Sequence, residues 1–218
     1  MSFNISRFIV MIVPLIFAVT IHEFAHGYAA YKFGDDTARQ AGRLTLNPIR
    51  HLDLFGSFLL PLLLRLTGSP VLFGYAKPVP INPLRFYDYR RGMIVVSSAG
   101  VFANFVCAVI SGILFQGLIH VVTAGFGRTT IPLIEPLLYM LQYSVIINLV
   151  LAVFNLIPIP PLDGSKILAM LLPEDLSIQY QRIERYGMLI IFLLLMTRTL
   201  GKIINFFLIP MADFLLGA

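Results

Sequence analysis

Apolar runs long enough to cross a lipid bilayer recur from one end of this 218-residue chain to the other. The first covers about residues 8–31. At about 1.5 Å of rise per residue, a helix of that length spans the hydrocarbon. Two more cover about residues 93–123 and 131–156. A last apolar region runs from 186 to 216 and is interrupted by Arg198, Lys202 and Pro210. It reads as one spanning helix plus a broken or interfacial one. A backbone in lipid must satisfy its own hydrogen bonds, which a helix does within itself. The expected fold is therefore an all-α integral membrane protein, with roughly 4–6 transmembrane or re-entrant helices.

Composition agrees. Hydrophobic residues make up 58% and charged residues only 12%, about half the charged share of a soluble domain. Mean hydropathy is +0.85. No stretch is polar and long enough to fold separately in water, so residues 1–218 are expected to form a single membrane-embedded domain. The first twenty residues resemble a secretory leader superficially. No small-residue cleavage site follows, and the run continues into the sequence HEFAH, so a leader is not expected. The single cysteine, Cys107, excludes an internal disulfide or a multi-cysteine metal site.

Between the runs the chain changes character. Residues 32–53 are polar. Residues 54–66 are apolar but short, which favours re-entrance over crossing. Residues 67–91 are loop-like, and within them VLFGYAKPVPIN predicts a small β edge or hairpin near residues 70–82, confined to an edge by its prolines. After residue 156, NLIPIPPLDG must leave the helix, because each proline lacks an N–H donor and restricts its predecessor.

The net charge of +5 does not point to nucleic acid, since the basic residues sit between apolar runs. If residues 54–66 re-enter without crossing, twelve of the sixteen Lys and Arg fall on one side: Lys32, Arg39, Arg43, Arg50, Arg65, Lys77, Arg85, Arg90, Arg91, Lys166, Arg182 and Arg185. Arg7 and Arg128 fall on the other. The positive-inside rule makes the twelve-residue side cytoplasmic, as in a multi-pass protein of the cell (inner, cytoplasmic) membrane.

The chemistry begins at His22-Glu23-Phe24-Ala25-His26. On a helix, positions i and i+4 share a face about 6 Å apart along the axis, so two imidazoles can bind one zinc ion. Glu23 lies beside them as a candidate general base. An unpaired acid in a spanning run costs several kcal/mol and is functional by default. The alternative, two incidental histidines on a helix, is far weaker in that setting. Zinc needs a third protein ligand. A third histidine at position 32 is excluded, since Lys32 stands there, and Glu135 falls near the opposite face. Asp35, Asp36, His51, Asp53, Asp88 and Asp163 remain. Asp163 is favoured because it follows the proline-broken helix end, where irregular backbone must line a cavity or protein interior. It could also simply cap the helix that follows. His51 is next in order, and His120 lies toward the far end of its run.

These residues resemble the site-2 protease family of intramembrane zinc metalloproteases. The likeness rests on HEFAH at 22–26 and on Asn155-x-x-Pro158-x-x-Pro161-x-Asp163-Gly164. GDDTARQAGRLTLNPIRHLD and AKPVPIN between them are similar to stretches of bacterial and archaeal members. The resemblance implies a zinc metalloendopeptidase that cleaves transmembrane helices of membrane-protein substrates, usually to release a regulatory domain. It implies one Zn²⁺ per chain held by His22, His26 and Asp163, with Glu23 as general base and Asn155 assisting the oxyanion. Its partners would be the bilayer and a substrate carrying a transmembrane helix, with no nucleic acid. No PDZ or CBS domain is expected. SAGVFAN at 98–104 resembles a family segment that often has Pro where Val101 stands. It reads as helix packing, with Gly100 and Asn104 permitting close contact. AKPVPIN could offer an edge to an unwound substrate peptide. A metal transporter and an inactive scaffold are the rival classes. The first needs acids or histidines along a spanning route, and the second has no use for Glu23.

Overall fold

The computed structural model describes residues 5–51, 53, 59, 77–123 and 131–217. Its long helices follow the apolar runs. Helix α1 is Ile5–Lys32, α2 is Tyr89–Thr123 and α3 is Ile131–Leu156. Shorter helices follow: α4 (Asp163–Leu171), α5 (Glu174–Gln181) and α6 (Glu184–Met196), before the terminal helix α7 (Thr199–Leu216). Among the described residues, four stretches are long and apolar enough to cross a membrane: Val10–Lys32, Tyr89–Thr123, Ile134–Leu156 and Thr199–Leu216. The chain is thus a multi-pass, helical membrane protein.

Helices α1, α2 and α3 pack against one another, and α7 packs on α2 and α3. A stripe of small residues lets α2 sit at the centre. Ser97, Gly100, Asn104, Ala108 and Ser111 are all buried and recur every three or four positions. Small residues at this spacing allow helix backbones to approach closely, the main source of association where lipid supplies no hydrophobic drive. Ala108, Val145, Leu149 and Leu215 join α2, α3 and α7 in one core cluster. Asp88 caps the start of α2, its Oδ1 accepting from the Arg91 N–H at 3.0 Å.

The last apolar region divides as expected into one spanning helix and a shorter partner. The break is at Arg198, whose φ of 58° ends α6 and redirects the chain. Pro210, by contrast, is carried inside α7. At about 1.5 Å per residue, the 13 residues of α6 reach only about 20 Å, short of the hydrocarbon thickness.

The β edge or hairpin expected near residues 70–82 is not found. No strand occurs among the described residues, and residues 77–82 lie in no helix or strand. Pro78 and Pro80 remove alternate donors from that stretch. It is tied instead by irregular bonds: Arg43 to the Lys77 carbonyl at 2.6 Å, the Lys77 N–H to the His51 carbonyl at 3.0 Å, and the Asn82 N–H to Asp35 at 2.6 Å. Residues 70–76, and the re-entrant segment expected at 54–66 apart from residue 59, lie outside the described residues.

Candidate metal centre

His22 and His26 lie one turn apart on α1, roughly 15 and 9 Å of helix rise from its end at Lys32. They are therefore inside the apolar span. Asp163 is the first residue of α4, delivered by the proline-rich exit from α3. Its carboxylate does not cap α4. Oδ2 lies 3.3 Å from His22 Nε2 and 3.0 Å from His26 Nε2, and the two Nε2 atoms are 2.9 Å apart. All three residues are less than a tenth exposed.

The hydrogen bonds behind the rings say what these atoms carry. His26 Nδ1 lies 2.7 Å from the Val96 carbonyl, which can only accept. His22 Nδ1 lies 2.6 Å from Asn104 Oδ1. Both Nδ1 atoms therefore hold the proton, and each Nε2 presents a lone pair. Two lone pairs and a carboxylate oxygen converge with no proton between them. Such a triangle repels itself unless a cation fills it. Ligands of one tetrahedral zinc at about 2.0–2.1 Å are separated by about 3.3 Å, so the donor set fits zinc. Among the described residues this is the one group of three His, Cys, Asp or Glu able to share a metal.

Burial on its own would raise the Asp163 carboxyl. The nearby Lys166 cation counters this and favours the charged carboxylate. Lys166 Nζ donates to Oδ1 at 3.1 Å, leaving Oδ2 toward the imidazoles.

Beside the triangle lies a cavity of about 420 Å³, lined in part by Glu23, Val79, Asn155 and Lys166. Glu23 Oε2 accepts from the Val79 N–H at 2.8 Å. Pro78 and Pro80 have no N–H, so Val79 holds the one backbone donor of this Pro-Val-Pro stretch, and it is aimed at Glu23. Gly27 lets the stretch dock, since a β-carbon there would stand 3.0 Å from Val79 Cγ1. Asn155 reaches the cavity from the end of α3, with one amide N–H donated to the Leu151 carbonyl at 3.0 Å.

The structure thus brings together all five residues singled out from the sequence. The other candidate ligands have different work. Asp35, fully buried, binds Thr37 and the Asn82 N–H. Asp36 pairs with Arg85 and Gln40. Asp88 caps α2, and His51 is buried with Nε2 donating to the Thr45 carbonyl at 2.7 Å. Sequence reasoning assigned no chemistry to Asn104, Val79 or Lys166. From the sequence Asn104 reads as a packing residue only. The signal available for it was a polar side chain inside an apolar span, which is costly unless used.

Comparison with known proteins gives a consistent picture. Residues 10–198 match the description Peptidase family M50. The chain is 40% identical over 193 residues to a Bacillus subtilis protein named "Putative zinc metalloprotease YwhC", covering 88% of this chain and 82% of that one. It is 31% identical over 198 residues to a Mycolicibacterium smegmatis protein named "Putative zinc metalloprotease Rip2", covering 91% and 71%. No solved structure matches the chain.

Proposed function

The chain belongs to peptidase family M50, the site-2 protease family, as a multi-pass zinc metalloprotease, and from that premise we propose that it hydrolyses peptide bonds within transmembrane segments of other membrane proteins. The observation that carries this reading is the triangle of His22, His26 and Asp163, beside Glu23, at the depth of a spanning helix. A soluble-substrate protease has no reason to hold its ligands there.

In this reading His22, His26 and Asp163 hold the ion. When bound, zinc supplies Lewis-acid polarisation of the scissile carbonyl and acidifies the attacking water. Glu23 accepts the proton of that water and returns it to the leaving amine. Its carboxylate is pre-aligned by the Val79 N–H. Asn155 has a second amide N–H beyond the one given to Leu151, and that donor can face the developing oxyanion. A substrate helix shields its amides, so it must unwind locally before it can be cut. Pro78, Val79 and Ile81 line the cavity, and their stretch would offer backbone to an unwound peptide. The basic ends of the helices near the site support a cytoplasmic entrance in an inner-membrane protein. Release of a regulatory domain from its anchor would be the result.

The test is a map of the cut. Purified protein in liposomes, given a single-span substrate, is expected to cleave inside the apolar segment, as read by mass spectrometry of the fragments. Cleavage confined to the water-exposed flanks would overturn the reading.

A further inference from the structure

Behind the metal triangle a second set of polar side chains is buried between the long helices. Asn104 on α2 is fully buried and Asn148 on α3 nearly so. We propose that Asn104, held by Asn148, is a positioning residue that fixes the tautomer and ring orientation of His22 for the metal. This rests on the metal-centre reading above.

The orientation of each amide is determined by a group that can only accept. Asn104 Nδ2 donates to the Ala18 carbonyl at 3.1 Å and to Asn148 Oδ1 at 2.8 Å. Asn148 Nδ2 donates in turn to the Ser144 carbonyl at 2.9 Å. With its amino group committed, Asn104 can present only Oδ1 to His22 Nδ1, 2.6 Å away. The Nδ1 proton follows, and with it the Nε2 lone pair toward Asp163 and His26. The bonds to Ala18 and Asn148 use only the amino group of Asn104 and already join its helix to its two neighbours. Its oxygen, the remaining hydrogen-bonding group, is directed at a metal ligand rather than at a third helix-joining partner. His26 has a backbone carbonyl, that of Val96, in the same role. His22 is thus the imidazole whose support can be removed by changing a side chain. Partners of this kind raise ligand basicity and hold ring orientation, and their loss typically weakens metal binding about 10–100-fold.

Ser111 provides the control. It is on the same helix as Asn104 and bonds Ser144 Oγ across the same α2–α3 contact at 2.8 Å, without touching His22. The experiment measures the zinc dissociation constant of detergent-purified protein against a chromophoric chelator, with melting of the metal-free protein alongside. Asn104→Ala is expected to weaken zinc binding about 10–100-fold and Asn148→Ala by less. Ser111→Ala should leave it unchanged. Wild-type affinity in folded Asn104→Ala overturns the proposal, as does an equal loss in Ser111→Ala, which would make Asn104 a helix-joining residue only. If Asn104→Ala does not fold, Asn148→Ala decides, and unchanged affinity there overturns it. A wild-type protein without tight zinc would instead defeat the metal-centre reading itself.

Discussion

A β-carbon placed on Gly100 would stand 2.5 Å from His26 Nε2 and 2.7 Å from His22 Nδ1. Helix α2 therefore presses bare backbone against both imidazoles, and no residue with a side chain fits without moving them. Gly100→Ala is expected to leave a helical membrane protein whose zinc affinity falls by about tenfold to hundredfold, the scale of a 1–3 kcal/mol overpacking strain. Zinc titration of the purified variant checks this. Wild-type affinity would mean that α2 can shift away without disturbing the rings.

Asp163→Ala is expected to lose most of its bound zinc, because two imidazoles alone leave the ion short of its third protein ligand. His51→Ala should keep zinc, since that ring is committed to the Thr45 carbonyl elsewhere in the fold. Metal analysis of both variants is decisive. The Lys166 cation beside Asp163 favours its charged form. A carboxyl lowered in the folded state contributes above its unfolded value, about pH 4, and its contribution is lost only as pH falls through the still lower folded value. Protonation of Asp163 should therefore play no part in zinc release between about pH 5 and pH 8.

The membrane orientation can be read by labelling. With Cys107 replaced by Ser, single cysteines at Gln40, which is exposed, and at Arg128 are offered an impermeant thiol reagent from each side. Gln40→Cys is expected to react from the cytoplasm and Arg128→Cys from outside, because twelve basic residues share the side of Gln40. The reverse pattern would turn the site to face the exterior.

What could be read from the sequence, and what could not, divides along a physical line. His22 and His26 are legible because helical periodicity alone places them on one face, and Glu23 because it is an acid beside them in an apolar span. The spanning helices are legible because lipid permits little else, and α3 runs over Ile131–Leu156 as its apolar run predicts. Asp163 needed the proline-broken exit and the family likeness, since nothing local marks it as a ligand rather than a cap. Asn104 lies 82 positions from His22 and 44 from Asn148, so no periodicity links them. Val79 acts through a backbone N–H, which leaves no mark on side-chain chemistry. The prolines beside it suggest a strand edge, whereas in the fold they silence neighbouring donors and leave Val79 to bind Glu23.

Glu23→Gln is expected to abolish cleavage while zinc and fold persist. Gln has nearly the same size, and its amide oxygen can still accept from the Val79 N–H that now holds Oε2 at 2.8 Å, so the local packing survives. It cannot take a proton from the attacking water at neutral pH. General acid–base catalysis typically contributes about 10² to 10⁴ in rate, and Glu23 would act twice, as base and then as acid, so the loss should lie at or beyond the upper end. Asn155→Ala should be milder. A single oxyanion donor is worth about 10² to 10³ elsewhere, and here the ion shares that duty. The Asn155 amide is moreover partly committed to the Leu151 carbonyl. Cleavage of a single-span substrate, with zinc content measured on the same samples, separates these effects. Normal cleavage by a zinc-loaded Glu23→Gln variant would remove Glu23 from the chemistry and require a different proton acceptor in the cavity.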